Sequence, residues 1–230
     1  MEERWIAALG LSPLFAGIGP GSLRGLFACL GPRVKDYAKG EIVGLAGQTI
    51  PGMGLVLAGK LAVVKENDAG ERLVVDLLGP GGVFGEMAVF AGRRTWPATV
   101  AAQEASAVAF LRPEALLEEC ARSCPDHRRL IANLLRLLAQ KAMVLNKKIE
   151  YLTKKTLRAK ITTFLLEEME KSGRAVFPWP LNRNELANFL GVTRPALSRE
   201  LGRMRDEGVI SFDRVRVVIK DPAALRRMVE

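Results

Sequence analysis

Asn182 to Ile210 reads NRNELANFLGVTRPALSRELGRMRDEGVI. It divides into two short helical segments around a glycine. Asn182 or Asn184 can cap the first, since a short polar side chain accepts a hydrogen bond from the free amides of an opening turn. Leu186, Ala187 and Leu190 make its apolar face. Gly191 supplies the turn, because glycine takes a positive φ without a Cβ clash. Thr193 caps the second helix, and Pro195 sits in its first turn, where a missing N–H costs little. Leu197, Leu201 and Met204 recur at helical spacing. Arg194, Ser198, Arg199 and Arg203 fall on the opposite side. Two helices joined by a glycine turn, the second of them cationic, have the shape that enters a DNA major groove.

On the C-terminal side, Gly208-Val209-Ile210 leads into Ser211-Phe212-Asp213 and then Arg214 to Lys220. There Val215, Val217 and Ile219 alternate with Arg216 and Lys220, which predicts a strand pair, or wing, with basic residues outward against phosphates. On the N-terminal side, Phe177-Pro178-Trp179-Pro180 is an extended bridge, because its prolines forbid helix. A helix from Thr156 to Lys171 precedes it. Before that, a much longer helix runs from after Pro125 to about Thr156. Its apolar residues fit a heptad: Ile131, Leu138, Leu145 and Leu152 at one seam position, Leu135, Ala142 and Ile149 at the other. So regular a seam predicts a homodimer. Leu134 and Leu137 broaden the stripe and can pack on the preceding domain.

That domain has another texture. From Val34 to Leu111, short Val- and Leu-rich runs alternate with glycine clusters. Expected strands are Leu55 to Ala58, Leu61 to Lys65, Arg72 to Leu78, Ala98 to Ala102 and Ala105 to Leu111, with a hairpin turn at Asn67 to Gly70. Many short strands with glycine punctuation predict a small antiparallel roll, able to enclose a ligand. Helices are expected at Glu2 to Leu11, at Ser22 to Leu30 with Ser22 as cap, and from Pro113 through PEALLEECARS. The fold class is α+β: an N-terminal antiparallel β-roll resembling a cyclic-nucleotide-binding jelly roll, a long dimerisation helix and a C-terminal winged helix-turn-helix. The expected domains are 1–125, 126–156 and 157–230.

Composition narrows the function. The formal charge is +9, from 34 Lys and Arg against 25 Asp and Glu. Tyr151 to Glu230 alone carries 16 basic and 10 acidic residues, an excess that favours a polyanion partner through counterion release. No apolar run approaches the ~20 residues that cross a bilayer, and the N-terminus lacks signal-peptide features. A cytoplasmic protein with no membrane partner is expected. With one histidine, no nucleophile motif and no phosphate-gripping loop, no catalytic set is visible, so the chain is not expected to be an enzyme. Three scattered cysteines make no disulfide framework. Cys120, Cys124 and His127 have a Cys-x3-Cys-x2-His spacing, but Pro125 interrupts them. Three ligands hold zinc only with a fourth from elsewhere, and no metal site is assigned.

The order of glycine-rich roll, heptad helix and winged helix-turn-helix resembles the superfamily of the cyclic-AMP receptor protein and the fumarate-and-nitrate-reduction regulator (Crp/Fnr). The landmarks are Ser12 to Phe15 (SPLF), Tyr37 to Glu41 (YAKGE), Gly54 to Val63 (GLVLAGKLAV), Pro80 to Phe90 (PGGVFGEMAVF) and Gly191 to Leu201 (GVTRPALSREL). The resemblance implies a homodimeric, effector-responsive transcription regulator that binds an inverted repeat in double-stranded DNA, with RNA polymerase as a further partner. Arg194 and Arg199 are then the expected base readers. Ser198 and Thr193 lie beside them, and Arg183, Arg203, Arg214 and Arg216 meet phosphates. Where family members read cytosine with a glutamate, this chain has Pro195, so its half-site is expected to differ there.

The effector is less plain. Cyclic-nucleotide binders of the family carry Gly-Glu before a loop ending Arg-Ser-Ala-Thr. Gly85 and Glu86 match, with Met87 beside them. In the segment Arg93 to Ala101, RRTWPATVA, Trp96 takes the arginine place and Pro97 the serine place. Trp96 cannot neutralise a phosphate and Pro97 has nothing to donate, so the expected effector is not cyclic AMP. Trp96 reads either as a core or domain-interface aromatic or as a pocket wall. Two alternatives stay open: a cyclic nucleotide held by an atypical loop using Arg93 or Arg94, and a haem- or metal-dependent redox or nitrosative-stress sensor with His127 as a haem ligand. Family position places Leu145 and Asn146 of the long helix near the effector.

Overall fold

Strands that hold large residues on both sides must be covered on both sides, and the roll is built on that rule. In this computed structural model, which describes residues 3–66, 72–117 and 126–228, the chain forms two compact units, residues 1–140 and 141–230. The first opens with helices α1 (Glu3–Leu11) and α2 (Pro20–Leu30). The roll follows as β1 (Arg33–Tyr37), β2 (Ile42–Gly44), β3 (Met53–Ala58), β4 (Leu61–Glu66), β5 (Arg72–Leu78), β6 (Val83–Phe84), helix α3 (Glu86–Phe90), β7 (Thr99–Ala102) and β8 (Ser106–Leu111). Helix α4 (Pro113–Leu117) comes next, and then the long helix α5 (His127–Thr153), whose residues 127–140 belong to this unit. Two antiparallel sheets result, ordered β1-β8-β3-β6 and β2-β7-β4-β5.

β8 shows how the layers stack. All six of its residues are buried. Val108 and Phe110 point into the roll interior with Val56, Leu61, Phe84 and Val100 of both sheets. Ala107, Ala109 and Leu111 face the other way, into a core with Leu9, Leu26, Phe27 and Leu116 of the helices, as the period of two requires. Leu130, Leu134 and Leu137 of α5 complete that second core, so the packing of Leu134 and Leu137 on the roll is as expected.

Two local expectations change. α2 begins at Pro20, with Gly19 as cap. Proline is pre-set for a first helical position, so the helix starts two residues ahead of Ser22. β1 and β2 were not anticipated. β1 reads RVKDY and lies at a sheet edge, paired among the described residues only with β8, so polar residues need no cover there and the apolar signal is weak. The Asn67–Gly70 turn lies outside the described residues, as does the part of the Pro113 helix that would carry Cys120 and Cys124.

The second unit holds the end of α5 and then α6 (Leu157–Ser172), β9 (Val176–Pro178), α7 (Arg183–Leu190), α8 (Arg194–Asp206), β10 (Ile210–Phe212), β11 (Arg216–Ile219) and α9 (Pro222–Arg227). Thr156 caps α6 by accepting from the Ala159 amide at 3.0 Å. The three strands form an antiparallel sheet ordered β10-β11-β9, so the proline-bounded bridge serves as an edge strand. Val217 and Ile219 alternate into the core as expected, but Val215 precedes β11 and is 71% exposed at the hairpin tip. The Asp213 side chain accepts from the Val215 and Arg216 amides at 2.7 and 2.8 Å, which turns the chain before the strand begins.

Candidate nucleic-acid interface

α7 begins in a reciprocal cap. Asn182 Oδ1 accepts from the Asn184 and Glu185 amides, each at 3.0 Å, while Glu185 Oε2 accepts from the Asn182 amide at 2.8 Å. This Asn-x-x-Glu box satisfies the first amides of the helix from both sides. α7 stops at Gly191, whose φ is +67°. A Cβ there would also lie 2.6 Å from Leu152 Cδ2, the movable end of a half-exposed side chain, so the conformation is what calls for glycine. Thr193 Oγ1 then accepts from the Ala196 amide at 3.4 Å to start α8. Leu197, Leu201 and Met204 are completely buried, and Arg194, Ser198, Arg199 and Arg203 are exposed. The apolar back and cationic front expected of this helix are both present.

α8 is also held by a residue that sequence spacing does not mark. Arg158 of α6 donates from Nε to Glu200 Oε1 at 2.6 Å, and from its two terminal nitrogens to both oxygens of Glu207 at 2.8 and 2.7 Å. One guanidinium thereby fixes the helix at its middle and just past its end. Its side chain is only 30% exposed and that of Glu200 12%. Arg158→Ala leaves Glu200 with Arg203, 3.3 Å away, as its remaining ion pair. A loss of about 1–3 kcal/mol is expected in urea unfolding, together with weaker DNA binding, because α8 loses its register on α6. Unchanged unfolding and binding would remove Arg158 from this role.

The arginines separate into two groups. Arg183, Arg194 and Arg214 line one open concavity of about 560 Å³ with Trp179 and Phe212. Arg199 and Arg203 line a second, of about 300 Å³, with Leu157, Ala196 and Glu200. Arg183 is half-buried. Its guanidinium carbon stands 3.8 Å from the centre of the Trp179 ring and 5.0 Å from that of Phe212. Burial pulls its pKa below the usual arginine value, yet the group stays charged at neutral pH. Arg216 is exposed and pairs with Asp213 at 3.2 Å. Backbone hydrogen bonds from Arg216 and Val215 hold the Asp213 carboxyl below the usual range.

In the roll, Glu86 opens α3 and is buried. Trp96 is 4% exposed. Its ring stacks on Phe84 with centroids 5.8 Å apart at 25°. A Cβ added to Gly44 or Gly85 would come within 2.6 or 2.7 Å of the indole. Its amide donates to the Gln48 carbonyl at 2.8 Å, and the Gly47 amide donates to its own carbonyl at 2.9 Å. The indole therefore fills interior space as a core residue. Arg93, Arg94 and Met87 are exposed, as are Leu145 and Asn146 on α5. His127 is buried, with Nε2 3.0 Å from the Leu116 carbonyl. That oxygen only accepts, so Nε2 carries the proton. Among the described residues, no three His, Cys, Asp or Glu are grouped to hold a metal ion, and no helix is long and apolar enough to cross a membrane. Of the seam residues, Leu135, Ala142, Leu145, Ile149 and Leu152 are exposed in the single chain, while Ile131 and Leu138 are partly covered.

Comparison with known proteins agrees with this architecture. Residues 159–228 match the Crp-like helix-turn-helix domain and residues 34–123 the cyclic nucleotide-binding domain. The chain is 26% identical to the cyclic AMP receptor protein of Thermus thermophilus, over 94% of its own length and 96% of that protein. It is 28% identical to the transcriptional activator protein FnrA of Stutzerimonas stutzeri, over 84% of its own length and 79% of that protein. The crystal structure of the catabolite activator protein of Thermus thermophilus shares its fold with a TM-score of 0.51 at 24% identity, covering 95% of this chain and 98% of that one. CprK complexed with OCPA gives a TM-score of 0.65 at 15% identity, covering 89% and 92%. With a roll, a long helix and a winged helix-turn-helix in the order of these relatives, the chain belongs to the Crp/Fnr family of transcription regulators, which are DNA-binding proteins rather than enzymes.

Proposed function

We propose that the protein binds an inverted repeat in double-stranded DNA as a homodimer, under the control of an effector other than a cyclic nucleotide. The observation that carries the first part is α8, with three fully buried apolar residues behind and four exposed polar and cationic ones in front. Thr193 to Arg205 of each copy lies in a major groove. Arg194 and Arg199 read bases, since a guanidinium pairs with guanine O6 and N7. Thr193 and Ser198 contact a neighbouring base or phosphate, and Arg183, Arg203, Arg214 and Arg216 contact phosphates. Two-fold symmetry puts the half-sites about one helical turn, ~34 Å, apart. Residues 1–125 sense, 126–156 dimerise and 157–230 bind DNA, in the cytoplasm and beside RNA polymerase.

The second part rests on Trp96. The names of relatives include a cyclic AMP receptor protein and a cAMP-activated transcriptional regulator, but here an indole with no charge fills the place of the phosphate-binding arginine. Arg199→Ala tests the DNA reading. Discrimination between the inverted repeat and a scrambled duplex is expected to fall by ~1–3 kcal/mol, measured by competition binding. If only the sequence-blind, salt-dependent affinity drops, Arg199 is a phosphate contact.

A further inference from the structure

Arg183 raises a question that its expected role leaves open. A flexible arginine on a surface needs no seat, yet this one has two aromatic rings under it. Trp179 and Phe212 meet edge to face, with centroids 6.0 Å apart. Trp179 is itself anchored to the wing. Its Nε1–H donates to the Asp213 carbonyl at 3.2 Å, and its amide donates to the Val215 carbonyl at 3.0 Å. The ring beneath Arg183 is therefore fixed by both residues that flank Arg214 at the wing tip. Among the described residues no carboxylate lies within ion-pair distance of Arg183. Asp213, the one acid lining the concavity, has its carboxylate occupied by the Val215 and Arg216 amides and by Arg216 Nε. What remains is a half-buried, uncompensated guanidinium with a face against indole, sharing a concavity with Arg194 and Arg214.

Resting on the DNA-binding reading above, we infer that Trp179 and Phe212 are positioning residues that hold Arg183 rigid beside Arg214, so that the start of α7 and the tip of the wing grip the DNA backbone as one clamp. The physical reason is pre-organisation. Ordering a free arginine on a phosphate costs side-chain entropy at the moment of binding. A guanidinium stacked on indole has already lost that freedom, while its edge N–H groups remain available to two phosphate oxygens. The concavity also explains the wing's role in folding terms: the hairpin that carries Arg214 is the same hairpin whose carbonyls orient the indole.

The clamp is tested by binding the full chain to a palindromic and a random duplex across a range of salt concentrations. Each phosphate contact contributes about −0.9 to the slope of log K against log salt. Arg183→Ala is expected to make that slope shallower by about one per subunit and to weaken both duplexes alike, about tenfold. Trp179→Ala, which leaves the arginine in place, is expected to reproduce much of that change. Trp179→Phe keeps a ring and is expected to restore the slope. Adding Trp179→Ala to Arg183→Ala is expected to change the slope no further. A purely structural tryptophan would lower stability without altering the number of phosphates counted. If either Trp179→Ala or Arg183→Ala binds with the wild-type slope, the clamp is refuted while DNA binding stands. If Trp179→Ala does not fold, Phe212→Leu, which removes the second ring beneath Arg183, decides by the same slope: a wild-type slope refutes the clamp. If the wild-type chain binds neither duplex, the underlying reading fails with it.

Discussion

A chain carrying Leu145→Glu and Ile149→Glu is expected to sediment as a monomer and to lose its preference for an inverted repeat, while still folding. Leu145 and Ile149 are 47% and 59% exposed in the single chain, and Leu135 and Leu152, on the same heptad seam, are 63% and 48% exposed. A helix that leaves a row of large aliphatic side chains in water at heptad spacing fits a partner helix better than it fits solvent. Covering each such side chain is worth about 1.5–3 kcal/mol. The double substitution removes two of them per chain and places four carboxylates in a symmetric seam, where like charges repel and desolvation is costly. Linking two heads on one duplex raises apparent affinity about 10²–10⁴-fold over a single head, so loss of the dimer should cost specific binding at least about a hundredfold. Met143→Glu is the control. Met143 is more exposed still, at 71%, but lies off the seam, and its replacement should leave the dimer intact. A double variant that stays dimeric in sedimentation would overturn the seam assignment.

The elements that sequence reading captured are those whose signal is local. α7 and α8 carry a capping asparagine, a turn glycine and a three-residue apolar row within one stretch of 29 residues, and each falls where expected; that Glu185 closes the cap from the other side is seen only in the structure. β3, β4, β5, β7 and β8 were found to within about two residues; β3 and β8 are buried strands and read as apolar runs, while β5 is Val- and Leu-rich although Val74, Val75 and Leu77 are exposed. What escaped is decided by distant partners. Arg158 gains its meaning from Glu200 and Glu207, 42 and 49 positions away. Trp179 gains its meaning from Asp213, 34 positions away across two helices and a strand, as well as from Arg183 nearby. Tyr151 is fully buried at the end of α5, donating to Glu167 at 2.5 Å and packing on Phe164 and Phe189; the heptad pattern shows only that it is off the seam. An edge strand such as β1 escaped for the opposite reason, having too little burial to leave a pattern.

Trp96 is the residue on which sequence alone stayed undecided, and its replacement is expected to have the largest effect on stability. Trp96→Ala removes an indole that is almost wholly buried, stacked on Phe84 and closed in by Gly44 and Gly85. Truncating a buried aromatic of this size costs about 3–5 kcal/mol, part transfer and part cavity, against a total stability of about 5–15 kcal/mol for a typical protein. Urea unfolding should show that loss in the roll. The cavity is flat, apolar and indole-shaped, so added indole should recover part of the lost stability in Trp96→Ala and none in the wild type, as mass action requires of a ligand that binds only the folded form. Trp96→Arg separates packing from charge. It supplies the guanidinium that the resemblance places here in cyclic-nucleotide binders, but sets it among Phe84, Val100 and Phe110, where an unpaired charge is strongly disfavoured. It should therefore be at least as unstable as the alanine variant unless a phosphate compensates it. Cyclic AMP is expected to leave the wild-type unfolding curve and DNA affinity unchanged. A saturable stabilisation of the wild type by cyclic AMP would mean that the indole swings out to admit the nucleotide, and that the roll is a closed pocket rather than a filled one.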